Sequence, residues 1–213
     1  MQKYTNIIWD WNGTLLDDVA WCITRINIML KKRSLPTLDT VEAYHNVFGF
    51  PIKDYYRIVG FDFEKEPFEL LAVEYIELYH NGNECVSMFS DAREILRKLQ
   101  TDGVHQIVLS ASELGNLICQ MKPFGIAEFF DETLGISDIY AASKVDLGKA
   151  YIQRAQPERA VLIGDTTHDK EVADALGVDC VLIANGHQSK NALISCGAVV
   201  LDCLADLPRI LNV

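Results

Sequence analysis

The spacing of apolar positions changes along the chain, and each change marks an element. Asn6-Ile7-Ile8-Trp9 is a short apolar run closed by Asp10 and followed by Gly13-Thr14, the pattern of a buried strand entering a loop. From there Val19, Cys22, Ile23, Ile26, Met29 and Leu30 recur every three or four positions, as on one face of a helix, until Leu35-Pro36 stops it. The next stretch mixes aromatics with charges (Tyr44, Phe48, Tyr55, Tyr56, Phe61, Phe63, Phe68), broken by Gly49, Pro51, Gly60 and Pro67, and predicts short helices joined by turns. A further helix is expected over 68–80, with Leu71, Tyr75 and Leu78 on one face, before Asn81-Gly82-Asn83.

Beyond that break, helical periods alternate with short β-rich apolar runs at βαβ spacing. Asp91 and Glu94 resemble a capping pair opening a helix through Leu99. Strands are expected over 106–109, ending at Ser110, and over 132–134, 160–163, 180–183 and 198–201; the strand at 160–163 ends in Gly164-Asp165. The intervening helices cover Leu114 to Met121, 144–154 and 169–176, the last closed by Gly177. Repeated βαβ units imply a doubly wound parallel sheet covered on both faces, with ligands beyond the carboxyl ends of the strands. Residues 17–84 do not follow this rhythm and are too long for a connection, so they read as an inserted α-helical cap. The α/β core is then 1–16 plus 85–213. No repeats and no low-complexity tract interrupt the pattern.

Composition narrows the functional classes. Of 213 residues, 49% are apolar, enough for a buried core, and 19 basic against 30 acidic residues give a net charge of −11. Such a surface repels nucleic acids and anionic membranes, so an anionic substrate needs a local site where a metal or a few cations reverse the field. No signal peptide or membrane span is expected. Cys22, Cys85, Cys119, Cys180, Cys196 and Cys203 lie in apolar stretches without a Cys-x-x-Cys pair, which reads as reduced core residues of a cytoplasmic protein.

Three strands end in residues suited to chemistry: Asp10, Ser110 and Asp165. Taken singly, each has a plain structural explanation. Asp10 could cap the following turn, Asp165 and Asp169 could be helix-start acids favoured by the macrodipole, Ser110 a helix cap and Lys144 a solvated cation. A doubly wound sheet would bring all of them to one edge, where they supply a nucleophile, a hydroxyl, a cation and a metal-binding acid pair.

Asp10-Trp11-Asn12-Gly13-Thr14-Leu15, Ser110 after Ile107-Val108-Leu109, Lys144, and Gly164-Asp165-Thr166-Thr167-His168-Asp169 resemble, in order and spacing, the four motifs of the haloacid dehalogenase superfamily. The cap resembles that of its phosphoglycolate-phosphatase-like members. The resemblance implies that Asp10 is the nucleophile, forming an aspartyl-phosphate. It implies Mg²⁺ held by Asp10, Asp165 and the backbone carbonyl of Asn12, with Asp169 binding a coordinated water or orienting Lys144. Ser110, the Ala111 amide and Lys144 would hold phosphoryl oxygens, and Thr14 would brace the loop.

One position departs from the pattern. Phosphatases of this family carry a second Asp two residues after the nucleophile, as general acid and base; here it is Asn12, whose amide cannot shuttle a proton at neutral pH. That loss typically costs about 10²- to 10⁴-fold. His168, the nearest in sequence, is the first candidate to replace it, with His187 and cap residues behind. The same departure keeps two alternatives open: a phosphonatase-like C–P hydrolase using Lys53 for a Schiff base, and a non-catalytic sensor of a phosphorylated metabolite. Lys53, Arg57, Tyr55, Tyr56 and His45 are the cap side chains expected to meet substrate. The expectation is a cytoplasmic, Mg²⁺-dependent phosphatase, monomeric or homodimeric, acting on a small phosphoglycolate-like metabolite, with no nucleic-acid or membrane partner.

Overall fold

The computed structural model describes residues 3–82, 86–136 and 143–211; Cys85 and the expected domain boundary at 84/85 lie outside them. Six parallel strands form the central sheet in the order β5-β4-β1-β6-β7-β8: β1 (Asn6–Trp9), β4 (His105–Glu113), β5 (Glu132–Ile136), β6 (Ala160–Gly164), β7 (Asp179–Ile183) and β8 (Val199–Leu201). In β1, Ile7 and Trp9 enter the hydrophobic cluster on one face while Ile8 enters the cluster on the other. The same alternation divides Val161 and Ile163 from Leu162 in β6. Both faces are therefore covered, which is why these strands read as unbroken apolar runs.

The chain leaves β1 for β4 on one side and later places β6 on the other, so the carboxyl end of β1 is a topological switch point. Two wall helices, α7 (Lys144–Ala155) and α8 (Thr167–Leu176), each begin with a capping box, from Ser143 and Asp146 and from Thr166 and Asp169. Helix α6 (Leu114–Met121) follows β4 directly. Strand β4 runs three residues past Ser110, with a register irregularity between Leu109 and Glu113 that the apolar run 106–109 does not announce.

The insertion folds around its own cluster of Ile26, Met29, Leu30, Tyr44, Tyr56 and Leu71. It contains α1 (Val19–Lys32), α2 (Val41–His45), α3 (Ile52–Ile58) and α4 (Phe68–His80). A feature absent from the sequence reading ties its two ends together: β2 (Leu16–Asp17) pairs antiparallel with β3 (Ser87–Met88). Two residues per strand carry too little periodicity to be seen.

Two local expectations are corrected. Asp91 is the N-cap residue of α5 (Ala92–Thr101), but its side chain accepts from the Ala205 amide at 2.8 Å instead of capping. Cys119 is exposed, not part of the core. Among the described residues no helix is long and apolar enough to cross a membrane.

Candidate functional site

Asp10 directly follows β1, and its backbone amide donates to the Ile163 carbonyl at 2.8 Å, so the sheet itself fixes it. Asp165 directly follows β6. Asp169 is placed by its capping box: its Oδ2 accepts from Thr166 Oγ1 at 2.6 Å and from the Thr166 amide at 3.1 Å. The three carboxylates offer oxygens within 4.8 Å of one another, all buried. Lys144, the first residue of α7, inserts its ammonium among them, 2.5 Å from Asp10 Oδ1 and 2.7 Å from Asp169 Oδ1. With Oδ1 on Lys144 and Oδ2 on Thr166, Asp169 serves as the brace of the lysine.

Glycines make the approach possible. Gly13 has φ +72°, and a Cβ there would lie 2.2 Å from Asp165 Oδ2; one on Gly186 would lie 2.1 Å from the same oxygen. Thr14 Oγ1 sits between the acids, 3.2 Å from Asp165 Oδ1 and 3.4 Å from Asp10 Oδ2. Ser110 is buried, its Oγ accepting from the Ser112 amide at 3.1 Å, and Ser110 and Ala111 line the same cavity as the acids.

The charges do not balance. Burial pushes Asp10 up to about 6, Lys144 opposing and Asp169 adding to the rise. Burial pushes Asp165 up to about 8, with His187 opposing and both other aspartates adding. Burial acts on Asp169 too, but Lys144 outweighs it and holds that carboxyl low. One ammonium cannot neutralise three buried carboxylates, and the residual charge on hard oxygen donors at Asp10 and Asp165 suits a hard divalent cation.

A second buried network surrounds Asn12. Both of its amide hydrogens are committed, to Asp18 Oδ2 at 2.8 Å and to the Tyr79 hydroxyl at 2.9 Å, while its Oδ1 accepts from Ser112 Oγ at 3.3 Å. Asp18 is the N-cap residue of α1 but makes no cap bond. It accepts instead from the Gly13 amide at 2.9 Å and from the Tyr79 hydroxyl at 2.8 Å, and it pairs with His187 Nε2 at 3.2 Å. Burial alone would lower His187; Asp18, then Asp165 and Asp10, outweigh it and raise it to about 9. The other ring nitrogen of His187 meets the Tyr44 hydroxyl at 2.9 Å, and its amide donates to Asp165 Oδ2 at 2.6 Å. Sequence reasoning missed Asp18, Tyr79 and Tyr44. In the sequence nothing sets Asp18 apart from an acid at a helix start, or Tyr44 and Tyr79 from the other aromatics of the cap.

Asp10, Asn12, Ser110, Ala111, Lys144, Asp165 and Asp169 all border one cavity of about 340 Å³ under the cap; buried Thr14 reaches it only through the two acids. The expected cap contacts are not brought there. Lys53 lies over the Phe63 and Phe68 rings, and Arg57 is exposed, 2.5 Å from Asp54 and over Phe63. Tyr55 and Tyr56 are buried in the cap cluster, and His45 bonds the Gly186 carbonyl at 2.9 Å. The short helix α3 turns its aromatic face inward to make a core, which sends Lys53 and Arg57 outward. His168 borders the cavity, stacked on Phe50 at 4.7 Å and bonded to Glu171 at 3.1 Å.

The family model described as "Haloacid dehalogenase-like hydrolase" matches residues 7–183. Tyrosine-protein kinase PtkA of Mycobacterium tuberculosis (strain H37Rv) is 29% identical over 184 residues, covering 85% of this chain and 62% of that protein. The chain thus spans somewhat under two thirds of that relative's length. Phosphoglycolate phosphatase of Caulobacter vibrioides is 25% identical over 213 residues, covering 95% of this chain and 89% of the relative. Among solved structures, a haloacid dehalogenase-like family hydrolase from Streptococcus pneumoniae superposes with a TM-score of 0.81 at 22% identity, over 99% of this chain and 100% of its own.

Proposed function

Because the chain belongs to the haloacid dehalogenase-like hydrolases, we propose that it is a Mg²⁺-dependent phosphomonoesterase working through an aspartyl-phosphate on Asp10. The observation that carries this reading is the convergence at the switch point of the sheet of Asp10, Asp165 and Asp169, whose oxygens lie within 4.8 Å of one another, with Lys144 bonded to Asp10 and Asp169. The name of the phosphoglycolate phosphatase relative agrees with it.

Asp10 and Asp165, with the main-chain carbonyl of Asn12, would hold the cation. When bound, Mg²⁺ neutralises the carboxylates and the phosphate so that the two can meet. Asp10 then attacks phosphorus while the ester oxygen departs, and Lys144, Ser110 and the Ala111 amide hold the equatorial oxygens. Water attack on the acyl phosphate returns Asp10 and releases phosphate. Asn12 contributes no proton to either half, since its amide is fully bonded and does not ionise. Lys53 does not line the cavity and lies over the Phe63 and Phe68 rings, which speaks against the Schiff-base alternative.

The test is acid-quenched single turnover with ³²P-labelled ester. Label should appear on the protein, require Mg²⁺ and vanish in Asp10→Asn; turnover by Asp10→Asn would overturn the reading. A second reading, phosphoryl transfer to an acceptor hydroxyl other than water, takes its support from the kinase name of the mycobacterial relative. Product analysis separates the two, since transfer yields a new ester in place of free phosphate.

A further inference from the structure

We infer that the substrate is an aryl phosphate, whose leaving group is a phenol, and not an alkyl phosphate bearing a second acid. The inference rests on the phosphomonoesterase reading and specifies what the cap admits.

Tyr44, Phe48, Phe50, Ile52, Tyr75 and Ile76 make up most of the cap side of the cavity, beside Asp18, Cys22, Tyr79 and His80. All 19 Lys and Arg residues of the chain fall among the described residues, and Lys144 alone borders the cavity, already committed to Asp10 and Asp169. Two of the three lining histidines are engaged by acids. His187 is matched by Asp18, His168 is bonded to Glu171, and burial holds His80 low. Opposite the cap, Glu113 adds a negative charge to the lining. A substrate carboxylate, such as that of phosphoglycolate, would enter this space unpaired, which is strongly unfavourable. An aromatic ring would instead meet Phe48 and Phe50, whose rings are edge-to-face at 5.8 Å.

Leaving-group chemistry points the same way, independently of the lining. Asn12 borders the same cavity two residues after Asp10, and its hydrogens are held by Asp18 and Tyr79, so it gives the departing oxygen no proton. An alkoxide leaves poorly without a proton. A phenolate, whose conjugate acid has a pKa of about 10, leaves without one.

The experiment compares kcat/KM for phenyl phosphate and phosphotyrosine with phosphoglycolate and glycerol 3-phosphate, in Mg²⁺. The aryl esters should be favoured by about 10²-fold or more, the scale of a missing general acid. Binding is read separately with inert analogues: phenylphosphonate should inhibit at least about tenfold more tightly than phosphonoacetate, a difference of about 1.4 kcal/mol. In Phe50→Ala, whose parent side chain is 41% exposed and therefore safe for folding, inhibition by phenylphosphonate should weaken about tenfold and that by phosphonoacetate should not. Equal or better use of phosphoglycolate, or equal binding of the two phosphonates, overturns the inference and leaves the phosphomonoesterase reading standing. Turnover of none of the four esters overturns both.

Discussion

Replacing Asn12 by Asp probes the point at which this site departs from its family's pattern. In the structure Asn12 Nδ2 lies 2.8 Å from Asp18 Oδ2. Exchanging that NH₂ for oxygen sets two carboxylates at contact. At an effective dielectric of about 20, two unit charges at this distance repel by about 6 kcal/mol, or roughly four pKa units. His187, paired with Asp18, offsets part of this, but one proton stays shared between positions 12 and 18 at neutral pH. The variant therefore carries a protonated acid where the leaving oxygen departs. Single-turnover release of the alcohol from an alkyl phosphate should accelerate by about 10²-fold, and release of phenol from phenyl phosphate by less than about tenfold, since phenolate needs little help. Loss of the amide bonds should lower stability by about 1–3 kcal/mol, read by denaturant titration. A folded Asn12→Asp protein that releases alkyl alcohols no faster than wild type would show that proton supply at position 12 does not limit leaving-group departure.

Other outcomes follow from the same geometry. Asp10→Asn should abolish turnover, and Asp165→Ala should abolish both turnover and the rise in melting temperature that Mg²⁺ gives the wild type; an Asp165→Ala protein still stabilised by Mg²⁺ would place the cation elsewhere. Lys144→Met leaves Asp10 and Asp169 as buried charges without a cation, and should cost about 3–5 kcal/mol in metal-free urea unfolding, partly recovered on adding Mg²⁺. With EDTA present, stability should fall as pH rises from about 6.5 to 9. His187 is raised to about 9, so its contribution, on the order of 3 kcal/mol, is complete below its unfolded pKa and lost as pH passes the folded one. Asp165, raised to about 8, adds to the fall: in its lower part the folded chain keeps a proton the unfolded chain has released. His187→Gln should flatten the slope, and a melting temperature that climbs over this range would contradict the assignment.

Much of the architecture and the place of the strand-end acids were legible in one dimension. A buried parallel strand is a continuous apolar run, and a strand-end Asp must emerge at the carboxyl edge of the sheet, so Asp10 and Asp165 announced their place by local pattern alone. Lys144 and Asp169 stood out only through the resemblance to the family's motifs, and it is the structure that shows each set by a capping box at its helix start. What the sequence could not decide was orientation within the cap. Lys53, Arg57, Tyr55 and Tyr56 share a seven-residue helix, and which face turns inward depends on what packs against it. Nor could spacing reveal that Asp18, Tyr79 and His187 close around Asn12, for they are separated by 61 to 169 positions in the chain and meet only when cap and sheet are assembled. Local period is written in neighbouring residues. Long-range convergence is set by the packing of whole elements, and the tertiary structure alone supplies it.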